Sequence, residues 1–96
     1  MEKGEFHVPI VVLQTDKRIS VWHVSLYLSF LLKWQANKCE NPIVFTRREM
    51  MEVAHIKSIA TYHKCISQLQ EFGYIQYDPS FNPFIGSSVR LLIINS

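Results

Sequence analysis

The stretch from Phe45 to Tyr77 constrains the fold most, because a periodic helix in it stops at a glycine and leads directly into a strand pattern. Its apolar residues recur at three- and four-residue spacing and fall on one side of a 3.6-residue helix: Ile59, Tyr62, Ile66 and Leu69. Gly73 fits the C′ position, where a left-handed backbone satisfies the last carbonyls. We therefore expect a helix over residues 58–72 and a strand from residue 74.

A shorter helix is predicted immediately before this one. Thr46 is a good N-cap and Glu49 stands three residues later, a capping-box pattern that favours a helix over residues 46–54. The short run from Ile43 to Phe45 favours a strand ahead of it. Two helices this close in sequence, the second followed by a strand, are typical of a helix-turn-helix with a wing.

The C-terminal part predicts a hairpin. Two segments with alternating apolar residues, YIQYD and VRLLIIN, are separated by a connection that contains two prolines and a glycine. They favour an antiparallel hairpin over residues 74–95, whose loop forms the wing. The predicted fold class is therefore α+β, mainly α: a winged helix-turn-helix with three helices and a small antiparallel sheet.

The longest predicted helix covers residues 20–37, where Ser20 is placed to cap it and apolar side chains span about 240° around the axis. A surface helix of a small domain needs an arc of little more than about 100°. Either other parts of the chain cover the excess, or one side forms a homodimer interface through Trp22, Leu26 and Phe30. Ahead of this helix, residues 8–14 are rich in β-branched types and predict an N-terminal strand or arm.

Composition indicates one domain. The chain has 96 residues, of which 48% are hydrophobic and 19% charged, and this suits a single core over residues 1–96. No run approaches the roughly 18 consecutive apolar residues of a membrane span. The N-terminus does not resemble a signal peptide, so we expect a soluble, cytoplasmic protein. Cys39 and Cys65 lie far apart without a CxxC pair, and reduced thiols are expected.

The polar side of the helix over residues 58–72 predicts a contact with duplex DNA. A helix that enters the major groove presents short polar and basic side chains in its first turns, while neighbouring cations fix the phosphates. Gln can pair with adenine, Lys with guanine, and Ser or Thr with bases or phosphate. The predicted groove contacts are Lys57, Ser58, Thr61, Lys64 and Gln68, with Arg47 and Arg48 as phosphate clamps at a helix N-terminus. The alternative is an ordinary solvated helix face.

The predicted wing departs from the pattern of a phosphate-binding loop. Its segment PSFNPFIGSS has no Lys or Arg, and Arg90 lies just past it. The segment carries three apolar side chains that suit packing against the body or against a protein partner: Phe81, Phe84 and Ile85. The formal net charge of the chain is only +2. A protein-protein interaction module that uses the first helix and the wing is therefore the alternative function, and tight DNA binding is expected to depend on a second copy.

Catalytic and metal-binding patterns are not evident in the sequence. His7, His23, His55 and His63 show no ligand spacing. Neither a glycine-rich phosphate loop nor a nucleophile elbow is present. The place of Tyr62 on the apolar stripe favours packing in the core over a nucleophilic role. We expect a protein that is not an enzyme and that uses no cofactor.

The segment SIATYHKCISQLQEFGYIQY resembles the recognition helix and following strand of bacterial winged-helix regulators, whose outline is S-x-x-T-V-x-x-x-L-x-x-L-x-x-x-G followed by two hydrophobic residues. Here Tyr62 takes the Val place and one residue fewer precedes Gly73. Together with HVSLYLSFLLKW and NPIVFTRREMMEVAHI, over roughly residues 20–90, the chain is similar to small DNA-binding proteins of bacterial conjugative transposons and related mobile elements.

This resemblance implies a winged-helix fold and a role in the control of element excision, transfer or replication, and regulation of transcription is the other role that we expect of a DNA-binding protein of this kind. It implies no catalytic activity. The groove-facing positions of the family correspond to Ser58, Thr61 and Lys64 in this sequence.

Overall fold

The structure, a computed structural model, describes residues 13–80 and 86–92. Besides a helical turn at residues 13–15, these residues form α1 (Val21–Ala36), β1 (Ile43–Phe45), α2 (Arg47–Val53), α3 (Ile59–Glu71), β2 (Ile75–Asp78) and β3 (Ser87–Leu91). Helix accounts for 52% and strand for 16% of them, and the strands form one antiparallel sheet. The predicted class, α+β and mainly helical with a small antiparallel sheet, is confirmed at this level.

The N-terminal strand or arm was predicted over residues 8–14, of which 8–12 lie outside the described residues. Residues 13–15 are helical, so a strand is wrong for residues 13 and 14. Leu13 is only 1% exposed, and its carbonyl accepts a hydrogen bond from the backbone N–H of Asp16 at 3.4 Å. A local turn that inserts Leu13 into the core has overridden the β propensity of this segment.

α1 lies at the centre of the core. The side chains that it buries are those of His23, Leu26, Tyr27, Phe30, Leu31 and Trp34. Phe30 packs on Phe45 of β1 with ring centroids 5.1 Å apart, and Tyr27 meets Tyr74 edge-on at 6.1 Å. The row that contains Leu26 and Phe30 therefore faces inward, onto the core of its own chain.

α2 begins with the predicted capping box. Thr46 Oγ1 accepts from the N–H of Glu49 at 3.1 Å, and Glu49 Oε1 accepts from the N–H of Thr46 at 3.4 Å. Beyond the end of α2, His55 has a φ of 59° and the N–H of Ile56 donates to the carbonyl of Met51 at 2.9 Å. Such a left-handed residue reverses the chain after a helix. Residues 54–58 thereby place α3 immediately after α2.

The sheet has β3 as its central strand, with β1 and β2 on either side. Ile43 of β1 pairs with Val89, and Gln76 of β2 pairs with Arg90. One face of the sheet is buried against the helices through Ile43, Phe45, Ile75, Val89 and Leu91. β2 and β3 form the arms of the hairpin predicted over residues 74–95, of which 81–85 and 93–95 lie outside the described residues.

Gly86 marks a close approach between β1 and the start of β3. Its φ is +81°, and a Cβ added there would lie 2.8 Å from the carbonyl oxygen of Phe45. A side chain at this position would therefore clash with the β1 backbone as well as strain its own. Glycine lets the central strand enter the sheet directly beside β1.

Candidate nucleic-acid interface

α3 is held by a buried stripe and by caps at both ends. Its buried side chains are those of Tyr62, Cys65, Ile66 and Leu69. At its start, Ser58 Oγ accepts from the N–H of Thr61 at 3.2 Å. At its end, Gly73 has a φ of 90°, and the N–H of Tyr74 donates to the carbonyl of Leu69 at 2.9 Å. α3 therefore starts and stops where the cap residues direct, within one residue of the predicted 58–72.

The outward side of α3 is largely polar, and its charge changes along the helix. At about 100° per residue, the exposed side chains occupy one arc: Ile59, Ala60, His63, Lys64, Ser67, Gln70 and Glu71. Lys57 lies just before the helix and Lys64 in its first half, whereas Glu71 is the last helical residue. The N-terminal half of α3 is thus the part suited to contact a polyanion.

Ile59 corrects the predicted stripe at its first position. It was placed on the buried side, yet it is 49% exposed. As the first residue of α3 it points back toward the helix N-terminus, and the core does not extend that far. The buried stripe begins one turn later, at Tyr62.

Four cations predicted to contact phosphates or bases are exposed: Arg47, Arg48, Lys57 and Lys64. None of these four forms an ion pair with another residue of ranges 13–80 and 86–92. By contrast, Arg18 and Lys33 are each held 2.7 Å from a carboxylate, that of Asp16 and that of Glu49 respectively. Hydrogen bonding from Lys33 keeps the pKa of Glu49 below its ordinary value. The positive charges of these four side chains therefore remain available to a ligand, whereas those of Arg18 and Lys33 are compensated.

Arg47 lies close enough to α3 to influence the ionisation of Tyr62. Burial raises the pKa of the Tyr62 hydroxyl, nearby Tyr77 adds to this effect, and the positive charge of Arg47 offsets part of it. Tyr62 is 1% exposed, and its hydroxyl has no hydrogen-bond partner among the described residues. A buried hydroxyl with a raised pKa is poorly suited to nucleophilic attack. Tyr62 is a core residue, as expected, and Arg47 lies within electrostatic range of its hydroxyl.

Gln68 is tied to α1. The N–H of Ser20 donates to His23 Nδ1 at 2.8 Å, which assigns the ring proton to Nε2, 2.8 Å from Gln68 Oε1. A bidentate contact with adenine needs both the oxygen and the nitrogen of the Gln amide. The oxygen of Gln68 already accepts from buried His23, so only its second lone pair remains for adenine, and the base contact of Gln68 stays a prediction.

The other predicted groove residues differ in position. Thr61 lies seven residues before Gln68 on the same side of α3 and is half-buried, whereas Lys64 is exposed. Ser58 is exposed, and its oxygen serves as the cap while its hydroxyl proton is available to a phosphate. His63 and Ser67 lie on the exposed arc and were not among the predicted contacts. Their helical spacing from Lys64 could have predicted this exposure, because all three residues fall within one arc of the helix.

The predicted homodimer residues are divided between core and surface. Leu26 and Phe30 are fully buried at 0% exposure, so the prediction that they form an interface is wrong. Their row is turned inward, where Phe30 packs on Phe45. Trp22 is 47% exposed, and its contact with a second copy stays a prediction.

The wing residues predicted to meet a protein partner, Phe81, Phe84 and Ile85, lie outside the described residues. Arg90, just past them, is exposed and pairs in register with Gln76. Arg90, Gln76, Asp78 and Ser88 line a shallow groove of about 400 Å³ on the sheet. Its charges are of both signs, so it adds little to the basic surface of α2 and α3.

No protein-family model matches the chain, and comparison with curated proteins and with solved structures gives no significant match. Within ranges 13–80 and 86–92, no helix has the length and apolar character needed to cross a membrane. Over the same ranges, no three His, Cys, Asp or Glu side chains are grouped so as to hold a metal ion. Fold and surface together define a small, mainly helical α+β domain with uncompensated cations on and beside one helix.

Proposed function

We propose that the protein is a non-enzymatic winged-helix protein that binds a specific duplex-DNA sequence and regulates transcription or the excision, transfer or replication of a mobile element. In this proposal α2, residues 54–58 and α3 are the helix-turn-helix, and the β2–β3 hairpin is the wing. α3 is the recognition helix, and its N-terminal half enters the major groove.

The observation that carries the proposal is the set of exposed cations without an ion-pair partner among the described residues: Arg47, Arg48, Lys57 and Lys64. Each cation that neutralises a phosphate releases a condensed counterion, which favours binding. Arg47 and Arg48 open α2, where the helix N-terminus also favours an anion. Such an arrangement positions the protein on the backbone, while α3 supplies the base contacts.

Base contacts in this proposal come from the exposed arc of α3. Lys64 is assigned to guanine, and His63 and Ser67 are its neighbours on the exposed arc of α3. Ser58 and Thr61 are assigned to the phosphates beside the groove. Gln68 is given no base contact in this proposal, because its amide oxygen accepts from His23.

The test is a salt titration. Bound duplexes are first selected from a random pool, and the affinity for one of them is then measured by fluorescence anisotropy between about 50 and 200 mM salt, where log K is expected to fall with a slope of about −0.9 per neutralised phosphate. Lys64→Ala is expected to cost about 1–3 kcal/mol of binding free energy and to relax the selected sequence at one position. Lys38→Ala is the control, because it removes an exposed positive charge in the loop after α1.

Two results would contradict the proposal. One is the absence of binding by the folded protein at about 50 mM salt, where phosphate contacts are strong. The other is an equal loss of affinity in Lys64→Ala and Lys38→Ala, which would mean that only overall charge matters. In the first case the alternative, a winged-helix module that binds another protein through α1 and the wing, becomes the better proposal. The exposed Leu28 and Leu32 of α1 favour that alternative.

A further inference from the structure

The outward side of α1 is apolar and nearly free of charge. Val21 is 71% exposed, Leu28 39% and Leu32 66%. Lys33 is the one Lys, Arg, Asp or Glu residue in this helix, and Glu49 of α2 compensates it at 2.7 Å. A single exposed leucine is ordinary, but several along one side of a helix mark an interaction surface.

A groove adjoins this side of α1, where it meets α2. Its volume is about 280 Å³, and it is lined by Ser29, Leu32, Lys33, Glu49, Met50 and Val53. Val53 is 54% exposed. We call the surface formed by Val21, Ser25, Leu28, Ser29, Leu32 and Val53 the outer face of α1. It combines protruding aliphatic side chains with an adjoining recess.

We propose that the outer face of α1 binds the same face of a second copy of this chain, with the two α1 helices antiparallel about a two-fold axis between Leu28 and Ser29. These residues are the middle of α1 (Val21–Ala36). The axis brings the two Leu28 side chains together, and it sets Leu32 opposite Ser25 and Val21 opposite Ala36, in each case a large side chain opposite a small one of the partner. Alternation of large and small side chains lets two helices approach closely and interdigitate, and reciprocal contacts are what a two-fold interface requires.

Charge favours a second copy over a nucleic acid or an anionic membrane. Neutrality favours such a contact, because like charges that meet near the axis repel each other. The outer face of α1 meets this condition, since the positive charge of Lys33 is paired with Glu49. A nucleic acid or an anionic lipid surface would instead require a basic rim. The helix of 16 residues offers about 24 Å of contact length, and antiparallel helices also oppose their dipoles favourably.

The mass in solution tests this interface without DNA and is therefore independent of the proposed function. Light scattering at tens of micromolar is expected to give twice the chain mass of 11.3 kDa. Leu32→Glu is expected to give the single-chain mass, because it buries two carboxylates in the interface. The control is Val44→Glu, which makes the same kind of change at a 56% exposed valine of β1 and is expected to remain dimeric. Circular dichroism verifies that both variants are folded.

A cross-link tests the orientation of the two helices. In a Cys39→Ser background, which removes the exposed native thiol, Leu28→Cys is expected to form a disulfide with its own copy, because the axis brings the two positions together. Val44→Cys is the matched control and is expected to stay reduced. The proposal is overturned by a wild-type mass of one chain, by a dimer that persists in folded Leu32→Glu, or by equal cross-linking at both positions.

Discussion

α1 and α3 are the two longest helices among the described residues, and they differ in what they present to solvent. α3 has 13 residues, buries one stripe and exposes a polar arc that includes Lys64. α1 has 16 residues, buries one side and exposes Val21, Leu28 and Leu32 on the other. Burial in the core explains the apolar residues of the α3 stripe, but it explains only some of the apolar residues of α1. The excess apolar surface of α1 therefore needs a second explanation, and the proposed dimer supplies it.

The two helices are also fixed to each other, with the start of α1 against the end of α3. His23 lies 2.8 Å from Gln68, and the Arg18 guanidinium lies 4.1 Å above the centre of the Phe72 ring. A dimer formed through α1 would therefore set the separation of the two α3 helices, which are the recognition helices of the proposed function, because each α3 is held to its own α1. In this way the apolar face of one helix would determine how the polar face of the other meets DNA.

The largest expected effect distinguishes the two sides of α1. Phe30→Ala is expected to lower the free energy of unfolding by about 3–5 kcal/mol, since it leaves a cavity in the core. Leu32→Ala is its control on the outward side and is expected to change that free energy by no more than about 0.5 kcal/mol in dilute protein. Urea denaturation followed by circular dichroism measures both. Similar losses in the two variants would mean that α1 is buried on both sides. The contrast between an apolar outward side of α1 and a polar outward side of α3 would then be wrong.

Local signals were enough to predict where helices begin and end, whereas the rotation of α1 was not predictable. Thr46 and Glu49 interact within one helical turn, and Gly73 acts on the residues just before it, so a short segment contains the whole cause. Leu26 and Phe30 were assigned to the wrong side because an apolar arc of about 240° does not specify which part faces the core. The tie of Gln68 to His23 joins residues 45 positions apart, and no local pattern reveals it.

The next effect concerns the hydrogen bond between His23 of α1 and Gln68 of α3. His23→Ala is expected to lower the free energy of unfolding by about 1–3 kcal/mol, because the Ser20 N–H and the Gln68 oxygen both lose a partly buried partner. In a double-mutant cycle with Gln68→Ala, the two losses are expected to be less than additive by at least about 0.5 kcal/mol. Lys64→Ala provides the control cycle and is expected to be additive with His23→Ala. Additivity in both cycles would show that His23 and Gln68 do not act together.

The smallest effect depends on pH and also lies where α1 starts and α3 ends. Asp16 accepts hydrogen bonds from Arg18 Nε at 2.9 Å, from Arg18 Nη2 at 2.7 Å and from the Tyr74 hydroxyl at 2.9 Å. The side-chain hydrogen bonds from Arg18 are the main cause that holds the pKa of Asp16 well below its ordinary value of 3.8. Burial raises the pKa of Tyr74 to about 12, and Asp16 adds to that rise. The carboxylate form of Asp16 is thus the form that the fold favours.

Asp16→Asn is therefore expected to destabilise the protein at neutral pH and progressively less in acid. Because the pKa of Asp16 is lower in the folded than in the unfolded chain, its contribution is complete above the ordinary value of 3.8 and is lost as the pH falls from there toward the folded pKa. The measurement is the difference in urea midpoint between the two proteins, at neutral pH and at successive values below the ordinary pKa. Subtracting the variant removes the parallel titration of Glu49, which both proteins share. A difference that stays constant across this range would mean that the Arg18 and Tyr74 contacts do not favour the ionised carboxylate. The contact between α1 and α3 would then depend on the hydrogen bond of His23 to Gln68 and on the stacking of Arg18 over Phe72.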